Sequence, residues 1–259
     1  MIKQALILAG GEGTRLAPLG EYLPKCLATV YNRPLIDYQL RLLQSAGVTE
    51  VAVAIGVQYD AVLRESVRLL ERTVEVQLVV EPEPLGVAAL FEASARLRPE
   101  PFWVLLGDIH FEAERLPQLD LPDGRDALLL TREFSDPERL AALTANVVVD
   151  QERVLAVRDK PTPAAIKGDL GWAGLAIIGP TFLERRSAIL KWLEKKPAPR
   201  FGDLFEAALW LGGSMTARPA PAGGWFNINT PEQLLEAARC EARKHVRGET
   251  GAGPGATRR

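Results

Sequence analysis

The chain has very little of what disulfide scaffolds, zinc sites and histidine-based active sites are made from. Its 259 residues include two cysteines and two histidines. Cys26 and Cys240 are too few for a disulfide framework and fit no metal-ligand spacing, which points to a reducing, cytoplasmic setting. Lys25 beside Cys26 would favour a thiolate there, yet a small buried side chain is the simpler reading. His110 and His245 lie far apart without accompanying ligands and read as structural or surface residues. No apolar run approaches the roughly 18 residues of a membrane-spanning helix. The opening MIKQALILAG holds a short apolar stretch but no cleavage site, which argues against a secretory signal. Net charge is −2, and there is no basic block outside the C-terminal tail, which argues against nucleic acid as a partner. A G-x-S-x-G nucleophile elbow is absent too.

What is present is the composition of a soluble globule, 47% hydrophobic and 25% charged, in a chain long enough for a full core. Apolar runs at Ala5–Leu8, Val51–Ile55, Val76–Val80 and Phe102–Leu106 read as buried strands. Helical spacing fills the gaps at Leu35–Ala46, Tyr59–Leu70 and Val87–Leu97. This alternation predicts an α/β fold, Rossmann-like, with an open, mostly parallel sheet and helices on both faces. The glycine loop after the first strand, Glu81–Gly86 and Gly107-Asp108 then share one sheet edge, where such folds bind ligands. Beyond Asp108 the pattern becomes β-rich, at Ala127–Thr131, Asn146–Val149, Val154–Val157 and Gly174–Ile178, with a hairpin turn at Asp150–Glu152. Helices are expected over Pro180–Glu194 and Asp203–Leu211. Gly223–Asn229 reads as a strand or tight loop, and Thr230-Pro231 opens a helix to about Val246. The expected organisation is one domain over residues 1–246, its nucleotide-binding part ending at 108, followed by a disordered tail from Arg247 to Arg259.

Residues 8–25 read LAGGEGTRLAPLGEYLPK. A strand running into a glycine-rich turn offers backbone N–H groups to an anion. Arg15 and Lys25 add fixed positive charge. Two common phosphate loops do not match. Gly13 is followed by Thr14-Arg15, not by the Lys-Ser/Thr of a Walker A loop, and the third glycine of the dinucleotide fingerprint is replaced by Leu16.

The run G-G-x-G-T-R-L-x-P-L, with P-K five residues later, closely resembles the signature of the sugar-1-phosphate nucleotidylyltransferases, also called sugar nucleotide pyrophosphorylases. The resemblance extends from Ile2 to about Ala242 and is to the short, single-domain form with a β-rich sugar-binding insertion. It implies transfer of a nucleoside monophosphate from a nucleoside triphosphate to a sugar 1-phosphate, with Mg²⁺ as cofactor and pyrophosphate as the leaving group. On this reading Ala9, Gly10, Gly11, Gly13 and Thr14 bind the nucleotide, with Arg15 on the leaving pyrophosphate and Lys25 on the α-phosphate. Asp108, in Leu106-Gly107-Asp108, would hold the metal, and Gly107 would face the sugar. Asn227-Ile228-Asn229-Thr230-Pro231 matches a segment whose first residue is commonly Asp, so Asn227 becomes the second metal ligand, through an amide oxygen. Asp159-Lys160-Pro161 resembles the family's E-K-P motif, which assigns Lys160 to the sugar phosphate and Asp159 to sugar hydroxyls. Gly174 matches a glycine near the sugar, whereas Ala145 stands where many members have glycine and would narrow the pocket. Family members are often dimers or tetramers, and no interface is legible here.

Glu81-Pro82-Glu83-Pro84-Leu85-Gly86 matches the base-reading segment and is similar to that of mannose- and heptose-1-phosphate guanylyltransferases. A carboxylate only accepts hydrogen bonds. Glu81 therefore suits the N1–H and amino donors of guanine better than a pyrimidine, and GTP is the favoured nucleotide, with Gly86 beside it. UTP or dTTP remains an alternative, as do a phosphate acceptor that is not a sugar and a non-catalytic sugar-nucleotide-binding homologue. Arg15, Lys25, Asp108 and Lys160 together favour an enzyme, while Asn227 is the feature that favours loss of activity.

Overall fold

The computed structural model describes residues 1–11, 13–70 and 74–247. In chain order the elements begin with β1 (Gln4–Leu8), β2 (Thr29–Val30), β3 (Arg33–Pro34), α1 (Leu35–Ser45), β4 (Glu50–Gly56), α2 (Asp60–Leu69), β5 (Glu75–Glu81), α3 (Ala89–Ser94), β6 (Phe102–Leu106) and β7 (Ile109–Phe111). They continue with β8 (Ala127–Glu133), α4 (Pro137–Leu143), β9 (Ala145–Asp150), β10 (Arg153–Asp159) and β11 (Leu170–Ile178). The last are α5 (Pro180–Glu184), α6 (Arg186–Leu193), α7 (Phe201–Trp210), β12 (Met215–Pro219), β13 (Trp225–Asn227) and α8 (Pro231–Arg247). Of the expected tail, Arg247 to Arg259, the first residue instead ends α8, and residues 248–259 lie outside the described residues.

Nine strands form one sheet in the order β5-β4-β1-β6-β11-β8-β12-β10-β9. The expected α/β architecture is there, and the four strands read from the alternation in the first half are all parallel, while the β-rich second half makes the rest of the sheet mixed. β5, β4, β1 and β6 are parallel, whereas β11 runs antiparallel to both β6 and β8. Beyond them only β12 with β8 is parallel. The reason is the connections. Parallel neighbours need crossovers long enough for a helix, and a two-residue turn can only join antiparallel strands. β9 and β10 are joined in that way, with Gln151 in the turn at φ 54°.

Alternation along the strands divides the core between the two faces. Ala5 and Ile7 of β1, with Trp103 and Leu105 of β6, pack with Ile36 and Leu40 of α1 and Leu63 of α2. Leu6 and Leu8, with Phe102 and Val104, pack on the opposite side with Leu90 of α3, Ile189 of α6, and Leu204 and Phe205 of α7. Two helical expectations are modified. The Pro180–Glu194 helix is interrupted at Arg185, which donates to Asp126 and to the Leu211 carbonyl. Only Ala89–Ser94 of the Val87–Leu97 segment is α-helical.

The chain leaves β1 for β4 and β5 on one side and returns to β6 on the other. The sheet order therefore reverses between β1 and β6, which is where ligands bind in open α/β sheets. The loops after these two strands lie against each other. The Gly107 N–H donates to the Leu8 carbonyl at 2.8 Å, and a Cβ on Gly107 would stand 2.8 Å from that same oxygen. A short antiparallel pair, β7 with β13, sets Asn227 opposite Ile109, and the Ile228 N–H donates to the Asp108 carbonyl at 2.8 Å. Asp108 and Asn227 thus become neighbours across more than a hundred residues of sequence.

Candidate active site

Two cavities open at this switch point. One, of about 150 Å³, is lined by Leu8, Ala9, Gly11, Lys25, Leu106, Gly107, Asp108 and Phe201. The other, of about 210 Å³, includes Arg15, Asp108, Ala145, Asp159, Lys160, Gly174, Arg200, Asn227 and Asn229 in its lining. Leu106, Asp108 and Phe201 border both. Of the residues expected at the site, ten reach one cavity or the other: Ala9, Gly11, Arg15, Lys25, Gly107, Asp108, Asp159, Lys160, Gly174 and Asn227. Gly10, Gly13, Thr14, Glu81 and Gly86 line neither of these two spaces.

Those five are tied to the loop geometry. Gly13 lies at φ 69° and starts a tight turn over Thr14–Leu16. Its carbonyl is so close to Gly20 that a Cβ there would collide with it. A Cβ on Gly10 would stand 2.8 Å from Glu81 Oε2. Glu81 is 4% exposed at the end of β5. Its Oε2 accepts a long bond of 3.5 Å from the Leu85 N–H, and Oε1 is buried with no partner among the described residues. Burial pushes the Glu81 carboxyl above its ordinary range, and the Leu85 N–H opposes this. Gly86 takes φ 56° in the turn into α3, with open space where a Cβ would be.

Asn229 is the hub that sequence reasoning missed. Its Oδ1 accepts from Arg15 Nη2 at 2.8 Å and from Lys25 Nζ at 2.6 Å. Its Nδ2 donates to Asn227 Oδ1, and Asn227 Nδ2 donates to the Leu143 carbonyl at 2.9 Å. α8 fixes this loop. Gln233 Oε1 accepts from the Asn229 and Thr230 N–H groups, and Thr230 Oγ1 accepts from the Gln233 N–H, a reciprocal N-terminal cap. Lys25 also lies 3.6 Å from Asp108 Oδ2. Burial lowers the Lys25 pKa and Arg15 adds to that, while Asp108 opposes.

Arg200, at the start of α7, is the second residue missed. It lies in a proline- and lysine-rich stretch that reads as surface loop. Lys160 sits at φ 41°, a left-handed conformation uncommon for lysine. Desolvation lowers its pKa, and the positive charges of Arg200 and Arg15 add to the shift. The Asp159 carboxyl is raised by burial, although its Oδ2 accepts the Gly202 N–H at 2.9 Å. Gly202 is required by this contact, since a Cβ there would stand 2.6 Å from Asp159 Oδ2 and 2.8 Å from the Ala145 Cβ. Gly174, at φ 76°, similarly makes room for Ile109.

The remaining candidates are structural. Cys26 is buried and its thiol is pushed up to about 12 by that burial, so it is no thiolate. His110 is buried, with Nε2 3.0 Å from Glu241 Oε1, and His245 packs against Tyr31. Among the described residues no three His, Cys, Asp or Glu side chains cluster as a metal centre, and no helix is long and apolar enough to cross a membrane.

The family model for nucleotidyl transferases matches residues 4–243. This chain belongs to the nucleotidyl transferase family. It is 29% identical over 244 residues to a probable mannose-1-phosphate guanylyltransferase 1 of Oryza sativa subsp. japonica, a match covering 91% of this chain and 64% of that protein. It is 30% identical over 240 residues to a mannose-1-phosphate guanyltransferase of Aspergillus fumigatus, covering 90% and 62% respectively. The chain thus spans less than two thirds of the length of these relatives. Among solved structures, a UDP-glucose pyrophosphorylase complexed with UDP-glucose superposes with a TM-score of 0.76 at 20% identity, covering 94% of this chain and all of that one. A putative glucose-1-phosphate thymidylyltransferase from Bacillus anthracis superposes with a TM-score of 0.74, also at 20% identity, covering 98% of each chain. At that identity the likeness is one of fold. In this nucleotidyl transferase the fold's switch point and the two cavities coincide.

Proposed function

We propose that the chain transfers a nucleoside monophosphate, from GTP, to a sugar 1-phosphate, releasing pyrophosphate. The observation that carries this is the meeting of two cavities at Asp108, one reached by Lys25 and the glycine loop, the other by Arg15, Lys160 and Arg200. Two anionic substrates held end to end are what such a transfer requires. The acceptor phosphate is already anionic near neutral pH, so no general base is needed. A phosphate oxygen of the sugar 1-phosphate forms a bond to the α-phosphorus while the bond to the bridging oxygen of pyrophosphate breaks. Lys25 holds the α-phosphate and Arg15 neutralises the departing pyrophosphate. Lys160 and Arg200 orient the incoming phosphate. Catalysis rests on positioning and charge.

Glu81 Oε1, buried without a partner among the described residues, supports guanine, whose adjacent N–H donors would satisfy it. The relatives named as mannose-1-phosphate guanylyltransferases agree with this choice. The donor set at the switch point also fits Mg²⁺. Asp108 offers a carboxylate, and Asn227 Oδ1 keeps a second lone pair beyond the one taken by Asn229. Mg²⁺ is ordinarily held by one or two protein oxygens together with substrate phosphates. Bound there, it would supply charge neutralisation at those phosphates. The two cysteines are both free thiols, in keeping with a cytoplasmic enzyme.

The test is pyrophosphate release with Mg²⁺, each of GTP, UTP, dTTP, CTP and ATP, and a panel of sugar 1-phosphates. Release with GTP alone supports the full reading. Preference for UTP or dTTP overturns the role of Glu81 and keeps the transfer. Silence from a folded protein overturns the transfer itself.

A further inference from the structure

The cavity reached by Arg15, Lys160 and Arg200 continues beyond its cations. A relay of hydrogen bonds runs along its wall from Arg15 to Asn229, Asn227 and the Leu143 carbonyl. At Leu143 the cavity adjoins a second space of about 330 Å³, and Ala142, Leu143, Trp225, Asn227 and Gln233 line both. The second space adds Arg139, Phe226 and Glu236. Arg139 precedes Ala142 and Leu143 by three and four residues on α4, so all three share one helical face. Gln233 and Glu236 are likewise three apart on α8.

Arg139 and Glu236 have opposite charges and border the same space, yet they do not pair. Neither makes an ion pair or a side-chain hydrogen bond among the described residues, in contrast to Lys25 and Asp108 nearby. Gln233 Oε1 is taken by the Asn229 and Thr230 N–H groups, which leaves its amide hydrogens free to donate. The space therefore presents donors from Arg139 and Gln233 and an acceptor from Glu236, beside the apolar surfaces of Leu143 and Phe226. Donors and an acceptor together suit neighbouring hydroxyl groups, each of which both donates and accepts. A second phosphate or carboxylate would meet the Glu236 carboxylate.

We propose that this second space receives a hydroxylated exocyclic chain of the acceptor. The acceptor is then a sugar 1-phosphate longer than a hexose, carrying at least two hydroxylated carbons beyond its ring, with Arg139 and Glu236 setting that specificity. The inference rests on the sugar 1-phosphate reading above.

The test compares kcat/KM for mannose 1-phosphate, D-glycero-D-manno-heptose 1-phosphate and mannose 1,6-bisphosphate, with GTP and Mg²⁺, in the natural enzyme and in Arg139→Ala and Glu236→Gln. The expected result is a preference for the heptose of about tenfold or more, carried mainly by KM. Each variant should lower the heptose-to-mannose ratio about tenfold, the loss typical of a hydrogen bond to a charged group. Equal or better use of mannose 1-phosphate overturns the inference alone, as does preference for the bisphosphate or an unchanged ratio in both variants. No pyrophosphate release with any of the three sugars removes the nucleotidyl transfer reading, and this inference with it.

Discussion

Gly10 and Glu81 share a space that only one side chain can fill: a Cβ on Gly10 would stand 2.8 Å from Glu81 Oε2. The glycine lets a buried carboxylate lie directly against the phosphate-type loop, with Oε1 left without a partner among the described residues. Glu81→Gln keeps the shape and exchanges an acceptor for a donor. With GTP, kcat/KM should fall about ten- to a hundredfold, because a hydrogen bond to a charged group is worth roughly 1.5–3 kcal/mol. With UTP it should rise. Pyrophosphate release measured with both nucleotides checks this, and an unaltered GTP preference would remove Glu81 from base recognition.

Asn229 holds Arg15 and Lys25 through a single oxygen. A neutral amide positions both cations and leaves their charge available to a triphosphate. Asn229→Asp would put a carboxylate in competition with phosphate for the same two cations. The expected outcome is a KM for the nucleotide raised about tenfold or more, since charge-assisted bonds are the stronger ones. A nucleotide KM equal to that of the natural enzyme would show that Arg15 and Lys25 do not bind it.

Much of this site is legible from local patterns, and what is not has physical reasons. The β1 strand and its loop announce themselves because the apolar run Ala5–Leu8 leads, through Ala9, into a cluster of glycines. Asp108 sits at a strand end, where position marks it, whereas Lys160 is legible only through the resemblance of Asp159-Lys160-Pro161 to the family's E-K-P motif. Arg200 carries no local signal, and only the packing of α7 against β10 brings it to the cavity. Asn229 lies in a segment whose interest is evident, but which of its two asparagines meets Arg15 depends on the turn that Gln233 and Thr230 fix. α4 is short enough to escape periodicity, although Asp136-Pro137 carries its start. Asp136 accepts from the Glu138 N–H, and the proline occupies the first turn. β12, with its mixed MTARP sequence, becomes a strand only through its sheet partners, β8 on one side and β10 on the other.

Lys160 makes a prediction about pH. Desolvation, Arg200 and Arg15 all hold its pKa below the ordinary lysine value, and Asp159 only partly opposes them. A lowered pKa means that the ammonium loses its proton as pH rises, at a lower pH than a free lysine would. Lys25 is lowered as well, but a bound triphosphate stabilises its charged form. With GTP saturating and sugar phosphate limiting, the alkaline fall in kcat/KM therefore reports Lys160. The fall should begin below the usual lysine range of about 10.4. In Lys160→Arg it should move to higher pH, because guanidinium stays charged. A profile identical in the two proteins would show that Lys160 does not carry the charge that binds the acceptor.

Asn227 tests the metal site by a route that does not need turnover. Its Nδ2 donates to the Leu143 carbonyl and its Oδ1 accepts from Asn229. In Asn227→Asp the first of these bonds becomes a contact between two oxygens, which costs on the order of 1 kcal/mol at this half-buried position. The new carboxylate also stands beside Asp108, whose carbonyl is tied to the next residue, Ile228, and like charges at that range repel. Without divalent metal, the variant should therefore melt several degrees below the natural protein. A second carboxylate should strengthen Mg²⁺ binding to the folded state, and ligand binding to the folded state alone raises stability. Millimolar Mg²⁺ should then recover part of the lost melting temperature in Asn227→Asp, and recover more of it than the shift seen with Asn227. Thermal unfolding of both proteins, with and without Mg²⁺, gives the answer. Equal Mg²⁺ shifts in the two would place the metal away from residue 227, because a ligand that gains a full negative charge cannot leave the affinity of a divalent cation unchanged.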